Sequence, residues 1–248
     1  MSADATALSR EIIARHSKSF ALASRLLPSA VRDRAVVVYA WCRRADDAVD
    51  EIASGECSQN AVDTLSAELD RAFAGEPSGD PIVDAFASVA ADTSMPRLYP
   101  DELIAGMLMD ARGHDYDTWD DLLLYCYRVA GTVGLMMSHV MGVSDPGALR
   151  DAALLGIAMQ LTNISRDIRE DWDRDRLYVP DELLATTGAP HLRERLGRPL
   201  PVDAKRPLAA ATGELLTAAD RFYQSGDRGM RALSPRCAWA VGAAREVY

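Results

Sequence analysis

Residues 154–171, LLGIAMQLTNISRDIRED, begin as an apolar helical pattern and end as an acidic one. Asp167 and Asp171 stand four residues apart at the acidic end, so a helix places both carboxylates on one face. Like charges at this spacing weaken an isolated helix. Carboxylates beside an apolar segment need a counter-charge, and a divalent metal ion is the obvious one. The segment therefore predicts a helix that carries a metal site at its acidic end.

A second copy of the acidic pattern lies earlier in the chain, where Asp46 and Asp50 follow the largely apolar residues 36–42. Tyr39, Arg43, Asp46 and Asp50 are spaced by four, three and four residues, so they share one helical stripe. The alternative is a charged face in solvent, which the apolar positions on the other sides of this helix disfavour. Clusters of Asp without nearby His or Cys favour Mg²⁺ or Mn²⁺ over zinc.

Two amides continue the later acidic stripe into the apolar segment. Gln160 and Asn163 precede Asp167 at helical spacing, and Arg166 flanks them. Amides in such a setting usually orient a ligand. The alternative is a set of buried hydrogen bonds that satisfy one another.

A third segment, residues 125–137, sets two glycines in an apolar helical pattern. Gly131 and Gly134 each cost about 1 kcal/mol relative to alanine in a helix. Close helix packing accounts for such glycines. So does a bend or groove in which a long apolar chain lies against Val129, Val133 and Met136. The two interpretations are compatible.

The periodicity predicts one all-α domain over residues 1–248. The expected helices cover residues 5–26, 29–53, 58–74, 82–93, 100–112, 119–142, 146–173 and 208–233. Asp101 and Asp145, each beside a proline, are expected helix starts. We expect a loop at 75–81 and a loop or broken helix at 186–207, and we expect Pro235 to interrupt the last pattern. Because a further helix has barely begun at residue 248, we expect the domain to lack its last C-terminal helix or helices.

Composition excludes several classes of protein. The net charge of −10 argues against a general nucleic-acid surface. The four cysteines show no metal-ligand spacing and no signal peptide precedes them, which predicts a reducing, cytoplasmic location. No run approaches the roughly 20 apolar residues of a membrane span.

Five segments, in order and at matching spacing, resemble motifs of the squalene/phytoene synthase family, the head-to-head isoprenyl diphosphate synthases. They are residues 16–20, 39–50, 125–134, 160–171 and 176–180. The similarity extends over residues 10–248, and within the family the bacterial phytoene synthases are most similar.

The resemblance implies an isoprenoid synthase fold with helices around a central apolar cavity. At its mouth the two aspartate motifs would face each other and hold Mg²⁺ against a diphosphate. Two geranylgeranyl diphosphates would be joined 1′–1 through a cyclopropyl (prephytoene) diphosphate, which rearranges to phytoene. No NADPH is expected for that product.

The resemblance also implies roles for single residues. The metal ligands would be Asp46, Asp50, Asn163, Asp167 and Asp171. The diphosphate contacts would be His16, Ser17, Ser19, Arg43 and Arg166. The residues at the reaction centre and along the substrate would be Tyr39, Tyr125, Val129, Val133, Gln160, Tyr178 and Tyr248. One departure is Asp175, where many members have glycine, which puts the conformation of that turn in question.

Three other functions compete with this one. A related enzyme would use farnesyl diphosphate to make dehydrosqualene, squalene or presqualene diphosphate. A non-catalytic scaffold would be expected to lose the metal ligands, which are all present here. A metal-dependent phosphohydrolase would need a positioned base for water, and none is evident. The apolar product predicts peripheral contact of an apolar rim with the inner membrane face. The sequence indicates no oligomeric state.

Overall fold

The computed structural model describes residues 3–50 and 55–246, apart from the side chains of residues 3, 18, 19, 50 and 55–58. Twelve α-helices lie in this part of the chain: α1 Ala3–His16, α2 Lys18–Ser24, α3 Ser29–Asp50, α4 Gly55–Phe73, α5 Pro81–Thr93, α6 Leu98–Ala111, α7 Trp119–Cys126, α8 Thr132–Val140, α9 Pro146–Asp173, α10 Asp181–Thr187, α11 Lys205–Gly229 and α12 Pro235–Arg245. A π-helical turn, Tyr127–Gly131, joins α7 to α8. The same residues contain no β-strand, which confirms the all-α prediction. They also contain no helix that is long and apolar enough to cross a bilayer.

Capping residues explain where the helices depart from the expected boundaries. Ser17 divides the segment predicted as one helix, because its backbone is extended and its Oγ accepts a hydrogen bond from the Phe20 amide at 3.2 Å. Asp145 caps α9 as expected. The expectation for Asp101 was wrong: α6 begins at Leu98, since proline is tolerated in a first helical turn.

The C-terminal third also differs from expectation. Helix α10 occupies residues that were not predicted as helical. Pro235 begins α12 instead of interrupting a helix, and Ser234 caps it by accepting a hydrogen bond from the Cys237 amide. The expected end of the third helix, residues 51–53, lies outside the described part of the chain.

Two apolar cores build the molecule. In the first, α3, α5, α6 and α8 meet, and Trp41 stacks on Phe86 with ring centroids 4.2 Å apart. The second gathers α7, α9, α10 and α11. There the Trp172 indole is buried and donates a hydrogen bond to the Arg198 carbonyl at 2.7 Å.

Ion pairs fix the direction of α3. Arg34, near its beginning, pairs with Asp92 at 3.3 Å, and Arg44, near its end, pairs with Asp80 at 2.7 Å. Because Asp80 precedes α5 and Asp92 lies near its end, α3 and α5 run antiparallel. The aspartates that follow Arg44 therefore lie at the end of the molecule where α5 begins.

The other central helices are oriented by equally direct contacts. The His139 ring, near the end of α8, lies 3.3 Å from the Thr93 carbonyl and 5.7 Å from the Tyr99 ring, so α6 starts where α5 and α8 end. Helix α9 runs antiparallel to α8, because Gly134 in α8 faces Ala152 while Gly131, just before α8, faces Ala153 and Ile157. Helices α3, α6 and α9 consequently run in the same direction, and their C-terminal carboxylates gather at one end, here called the acidic end.

Close backbone contact explains the glycines of the third segment. A Cβ added to Gly134 would lie 2.5 Å from the Ala152 carbonyl oxygen, and one on Gly131 would lie 3.3 Å from the Ala153 oxygen. The expectation of close helix packing is confirmed, and the π-helical turn lies where the helices touch. The expectation for Met136 was wrong, because its side chain is fully buried in the first core.

Candidate active site

A largely apolar cavity of about 380 Å³ lies between the two cores. Helices α2, α3, α8, α9, α11 and α12 contribute to its wall. Five residues that the sequence analysis selected line it: Tyr39, Val129, Val133, Gln160 and Asn163. The predicted apolar groove is therefore a partly open cavity with a few polar groups in its wall.

Asn163 places an unsatisfied oxygen in this wall. Its Oδ1 atom is buried and has no hydrogen-bond partner among the described residues. A buried polar atom without a partner is costly, so a donor or a cation in the cavity would stabilise it. Asp167 follows one helical turn later and leads toward the acidic end.

Each wall of the acidic end combines carboxylates with one arginine. On α3, Arg43 pairs with Asp46 at 2.9 Å and also with Asp47. On α9, Arg166 donates hydrogen bonds from Nε and Nη2 to the Asp167 carboxylate at 2.8 and 2.7 Å. Asp47 was not predicted as a site residue, although its spacing from Arg43 is that of a helical ion pair. The arginines supply the positive charge that an anionic ligand requires on an acidic protein.

Asp171 is a half-buried carboxylate that lies close to a second one, Asp167. Burial, followed by the negative charge of Asp167, raises the pKa of Asp171 to about 6, although Arg176 and Arg174 oppose the shift. A cation beside this carboxylate would favour its ionised form. The raised pKa makes Asp171 a candidate functional residue of this helix face.

The residues present fit a divalent metal ion in chemical type. Carboxylate and amide oxygens are suitable Mg²⁺ ligands, and Asn163 has the unsatisfied oxygen described above. In the described positions, no three His, Cys, Asp or Glu side chains are grouped closely enough to hold an ion. The ion pairs of Arg43 and Arg166 occupy the carboxylates that would have to turn toward it. The side chain of Asp50 lies outside the description.

Two tyrosines expected at the reaction centre lie beside the cavity instead of in its wall. Tyr125 and Tyr178 are buried in the second core, and their hydroxyls donate to Asp110 at 2.6 and 2.9 Å. Their rings stack 5.1 Å apart at an interplanar angle of 19°. Hydrogen bonds to a carboxylate hold them at this depth. Asp110 was not predicted as a site residue, because its signal in the sequence was a single carboxylate at the end of an apolar helix.

The N-terminal motif lies on the Tyr39 side of the cavity. Phe20 lines the cavity and its ring centroid lies 6.1 Å from that of Tyr39. His16 is exposed at the end of α1, and Ser17 caps α2. The Ser19 side chain and the whole of Tyr248 are not among the described parts, so their expected contacts stay predictions.

Asp175 adopts the conformation that glycine normally supplies. Its φ is +58°, in the left-handed region, and its Oδ1 accepts a hydrogen bond from the Gly197 amide at 2.9 Å. This hydrogen bond and the tolerance of aspartate for that region keep the turn as a glycine would. The departure from the family pattern therefore leaves the turn in place.

Replacing Asp175 with alanine should lower the free energy of unfolding by about 2 kcal/mol, because alanine is strained at positive φ and loses the hydrogen bond to Gly197. Asp175→Gly, which relieves the strain but lacks the bond, should cost less. Urea denaturation of both variants gives the comparison. Equal losses would show that backbone conformation is unimportant at this position.

Arg193 holds the segment after α9 against the tyrosines. Its guanidinium donates to the carbonyls of Leu177, Val179 and Tyr116 at 2.6 to 3.2 Å and pairs with Asp181 at 2.9 Å. Its side chain is only 12% exposed, so these contacts are largely shielded from water. Arg193 was not predictable from the sequence, since most of its partners are backbone atoms of distant segments.

Comparison with known proteins gives consistent results. The sequence pattern of the family described as squalene/phytoene synthase matches residues 13–248. A 15-cis-phytoene synthase from Paracoccus sp. is 40% identical over 99% of this chain and 80% of its own length. A phytoene synthase from Cereibacter sphaeroides is 42% identical over 96% of this chain and 68% of its own. Among solved structures, a dehydrosqualene synthase superposes with a TM-score of 0.87 at 30% identity, covering 99% of this chain and 83% of that one. A squalene synthase from Alicyclobacillus acidocaldarius gives 0.86 at 30% identity, covering 98% and 90%.

Proposed function

Because the chain belongs to the squalene/phytoene synthase family, we propose that it is a prenyltransferase that condenses two geranylgeranyl diphosphates head to head into phytoene. The observation that supports this most directly is an apolar cavity whose wall leads along α3 and α9 to two groups of carboxylates and arginines. Such a site suits a ligand with a long apolar chain and an anionic head.

The head group would be bound at the acidic end. Asp46, Asp50, Asn163, Asp167 and Asp171 would hold Mg²⁺, which when bound neutralises the diphosphate and stabilises its departure. Arg43 and Arg166 would turn from their aspartates to contact phosphate oxygens, a geometry that guanidinium groups favour. His16, Ser17 and Ser19 would bind from the Tyr39 side.

The cavity would hold the prenyl chain. Its side chains are mostly apolar, so they exclude water, which would otherwise capture an allylic cation. Ala148 and Asn163 both line it and stand 15 residues apart on α9, which at 1.5 Å per residue is about 22 Å. This length supports geranylgeranyl over the shorter farnesyl diphosphate.

The decisive experiment is an incubation with Mg²⁺ and either geranylgeranyl or farnesyl diphosphate, without NADPH, with identification of the apolar product. We expect phytoene from the C20 substrate. A C30 product alone would replace this proposal by the farnesyl-dependent alternative. No C40 or C30 product from folded protein would refute both.

Ala148→Phe should shift preference toward the shorter substrate, because the new ring would occupy the cavity at the start of α9, far from the acidic end. We expect the kcat/KM ratio of geranylgeranyl to farnesyl diphosphate to fall at least tenfold, the effect of losing room for a few methylene groups. The matched control is Ala209→Phe on the exposed face of α11, which should leave the ratio unchanged. An unchanged ratio in Ala148→Phe would show that the prenyl chain does not extend to the start of α9.

Two exposed apolar side chains, on helices that contribute to the cavity wall, support the proposed membrane contact. Leu22 on α2 is 65% exposed and Trp239 on α12 is 75% exposed, and these two helices pack together. Arg25 and Arg236 are exposed on the same helix pair, although the protein as a whole is acidic. An apolar patch with basic neighbours is complementary to an anionic bilayer surface.

Replacing both Leu22 and Trp239 with serine should weaken binding to vesicles of phosphatidylglycerol and phosphatidylethanolamine about tenfold, because apolar contact area is lost. Co-sedimentation measures the bound fraction without any need for catalysis. Val202→Ser is the matched control, since Val202 is 80% exposed but lies before α11. Equal binding by all three proteins would contradict the assignment of this surface.

A further inference from the structure

Asp110 engages both of its carboxylate oxygens with tyrosine hydroxyls. Its Oδ2 accepts from Tyr125 and its Oδ1 accepts from Tyr178. A tyrosine hydroxyl carries a single proton, so both protons are committed to the carboxylate. What each tyrosine can offer to any other group is the lone pairs of its oxygen.

This arrangement joins three separate parts of the fold. Asp110 lies on α6, Tyr125 on α7, and Tyr178 in the segment between α9 and α10. Tyr116 packs edge-on against the Tyr125 ring at 5.4 Å and also contacts Tyr178 at 5.6 Å. Arg193 donates to the backbone on either side, at Tyr116 and Leu177. The two hydroxyls are therefore held by packing as well as by hydrogen bonds.

The pair stands at the boundary between the cavity and the acidic end. Tyr125 lies one helical turn before Val129, which lines the cavity. On the other side, Asp110 is near the C-terminal end of α6, which lies at the acidic end. A reacting carbon bound with its chain in the cavity and its diphosphate at the acidic end would pass this boundary.

We propose that Asp110 is a positioning residue of the reaction. Because both hydroxyls donate to Asp110, Tyr125 and Tyr178 can act only as hydrogen-bond acceptors toward the substrate. A phenol that donates to a carboxylate carries more negative charge on its oxygen, and such an oxygen stabilises a positive charge nearby. Neither tyrosine can donate a hydrogen bond to the departing diphosphate while its hydroxyl donates to Asp110. The inference rests on the proposed prenyl transfer, because that reaction supplies the cationic carbon.

Asp110→Asn should disrupt this arrangement with little change in shape. Its amide has one accepting oxygen, and its NH₂ group donates, so one of the two hydroxyls must turn away. We expect kcat to fall on the order of 100-fold, the usual cost of misplacing groups at a reacting centre, with KM changed less than threefold. The control is Asp101→Asn on the same helix, whose carboxylate pairs with Arg97 at the opposite end. Asp110→Glu keeps both acceptor oxygens and should retain more activity than Asp110→Asn.

A double-mutant cycle separates positioning from simple structural damage. In a background of Tyr125→Phe and Tyr178→Phe, Asp110→Asn should change kcat less than twofold, because the groups through which it acts are gone. An undiminished loss in that background, or a kcat of Asp110→Asn within twofold of the native value, would overturn the proposal. Equal activity of the Glu and Asn variants would overturn it too.

A measurement that does not depend on catalysis tests the role of Asp110 separately from the prenyl transfer. In protein labelled with ¹³C-tyrosine, the ζ-carbon resonances of Tyr125 and Tyr178 should both move in Asp110→Asn, while those of Tyr99 and Tyr223 stay in place. Unmoved resonances would refute the role of Asp110 even if prenyl product forms. Absence of product from a protein whose resonances move would refute the reaction and leave the hydrogen bonds established.

Discussion

Asp171→Asn should lower product formation by about 10³-fold while making the metal-free protein more stable near neutral pH. Loss of a metal ligand removes several kcal/mol of stabilisation from the departing diphosphate, which corresponds to this factor in rate. The gain in stability has a different origin, since asparagine relieves the burial of a charge and its repulsion from Asp167. Opposite changes in activity and stability are expected of a residue selected for function.

The pH dependence of the stability follows from the raised pKa. The Asp171 carboxyl titrates at about 6 in the folded protein, against an ordinary value near 3.8. The folded state therefore holds the proton more tightly, and the stability this provides is lost as pH rises from about 4 to about 6. The difference in melting temperature between Asp171→Asn and the native protein should be largest above about pH 6 and should shrink near pH 4.

Asp173→Asn is the matched control for this experiment. Asp173 lies on the same helix but is exposed and pairs with Arg169 at 3.1 Å, so its loss should leave turnover nearly unchanged. Native-like activity in Asp171→Asn would show that the metal assignment is wrong. Loss of helical content on circular dichroism would instead indicate that Asp171 has a structural role.

Gly156→Ala should lower the free energy of unfolding by about 3 kcal/mol or more, the upper part of the range for overpacked sites. An added Cβ would overlap the carbonyl oxygen of Ala130 and lie 2.6 Å from its carbonyl carbon. Backbone cannot move aside as a flexible side chain can. The π-helical turn and α9 would have to separate, and this separation would deform the cavity wall.

Gly213→Ala on α11 is the control, because nothing lies within 4 Å of a Cβ built there. At this exposed helical position alanine should raise stability by about 1 kcal/mol through its higher helix propensity. Chemical denaturation of both variants measures the two changes. Similar changes in the free energy of unfolding of both variants would show that Gly156 is not required for close packing of α9 against the π-helical turn.

Much of the fold could be predicted because its signals are local. Helix α9 has the predicted bounds, since Asp145 and Pro146 form a standard start and the apolar period continues without a break. The start of α6 was predicted wrongly. Pro100 was taken as the signal for a helix start at Asp101, but α6 begins at Leu98 because proline is tolerated in the first turn of a helix. A second departure is at Ser17, whose hydroxyl caps α2 and so divides a segment that was predicted as one helix.

The candidate site was predictable where its members share one helix. Asn163 and Asp167 lie on one stripe because helical spacing requires it, and the cavity wall contains the expected Tyr39, Val129 and Val133. The contact of Asp110 with Tyr125 and Tyr178 was not predictable, since it joins residues 15 and 68 positions apart. No periodicity relates such positions.

The sequence by itself determined that the chain is helical, which residues share a helix face, and that two acidic groups occur beside apolar segments. Those properties depend on spacing within one element, which backbone geometry sets. The tertiary structure alone decided that α3, α6 and α9 run in one direction, that burial raises the pKa of Asp171, and that Asp110 accepts hydrogen bonds from both tyrosine hydroxyls. These properties depend on which helices pack together and how deeply, because burial and distances between separate elements set their energies.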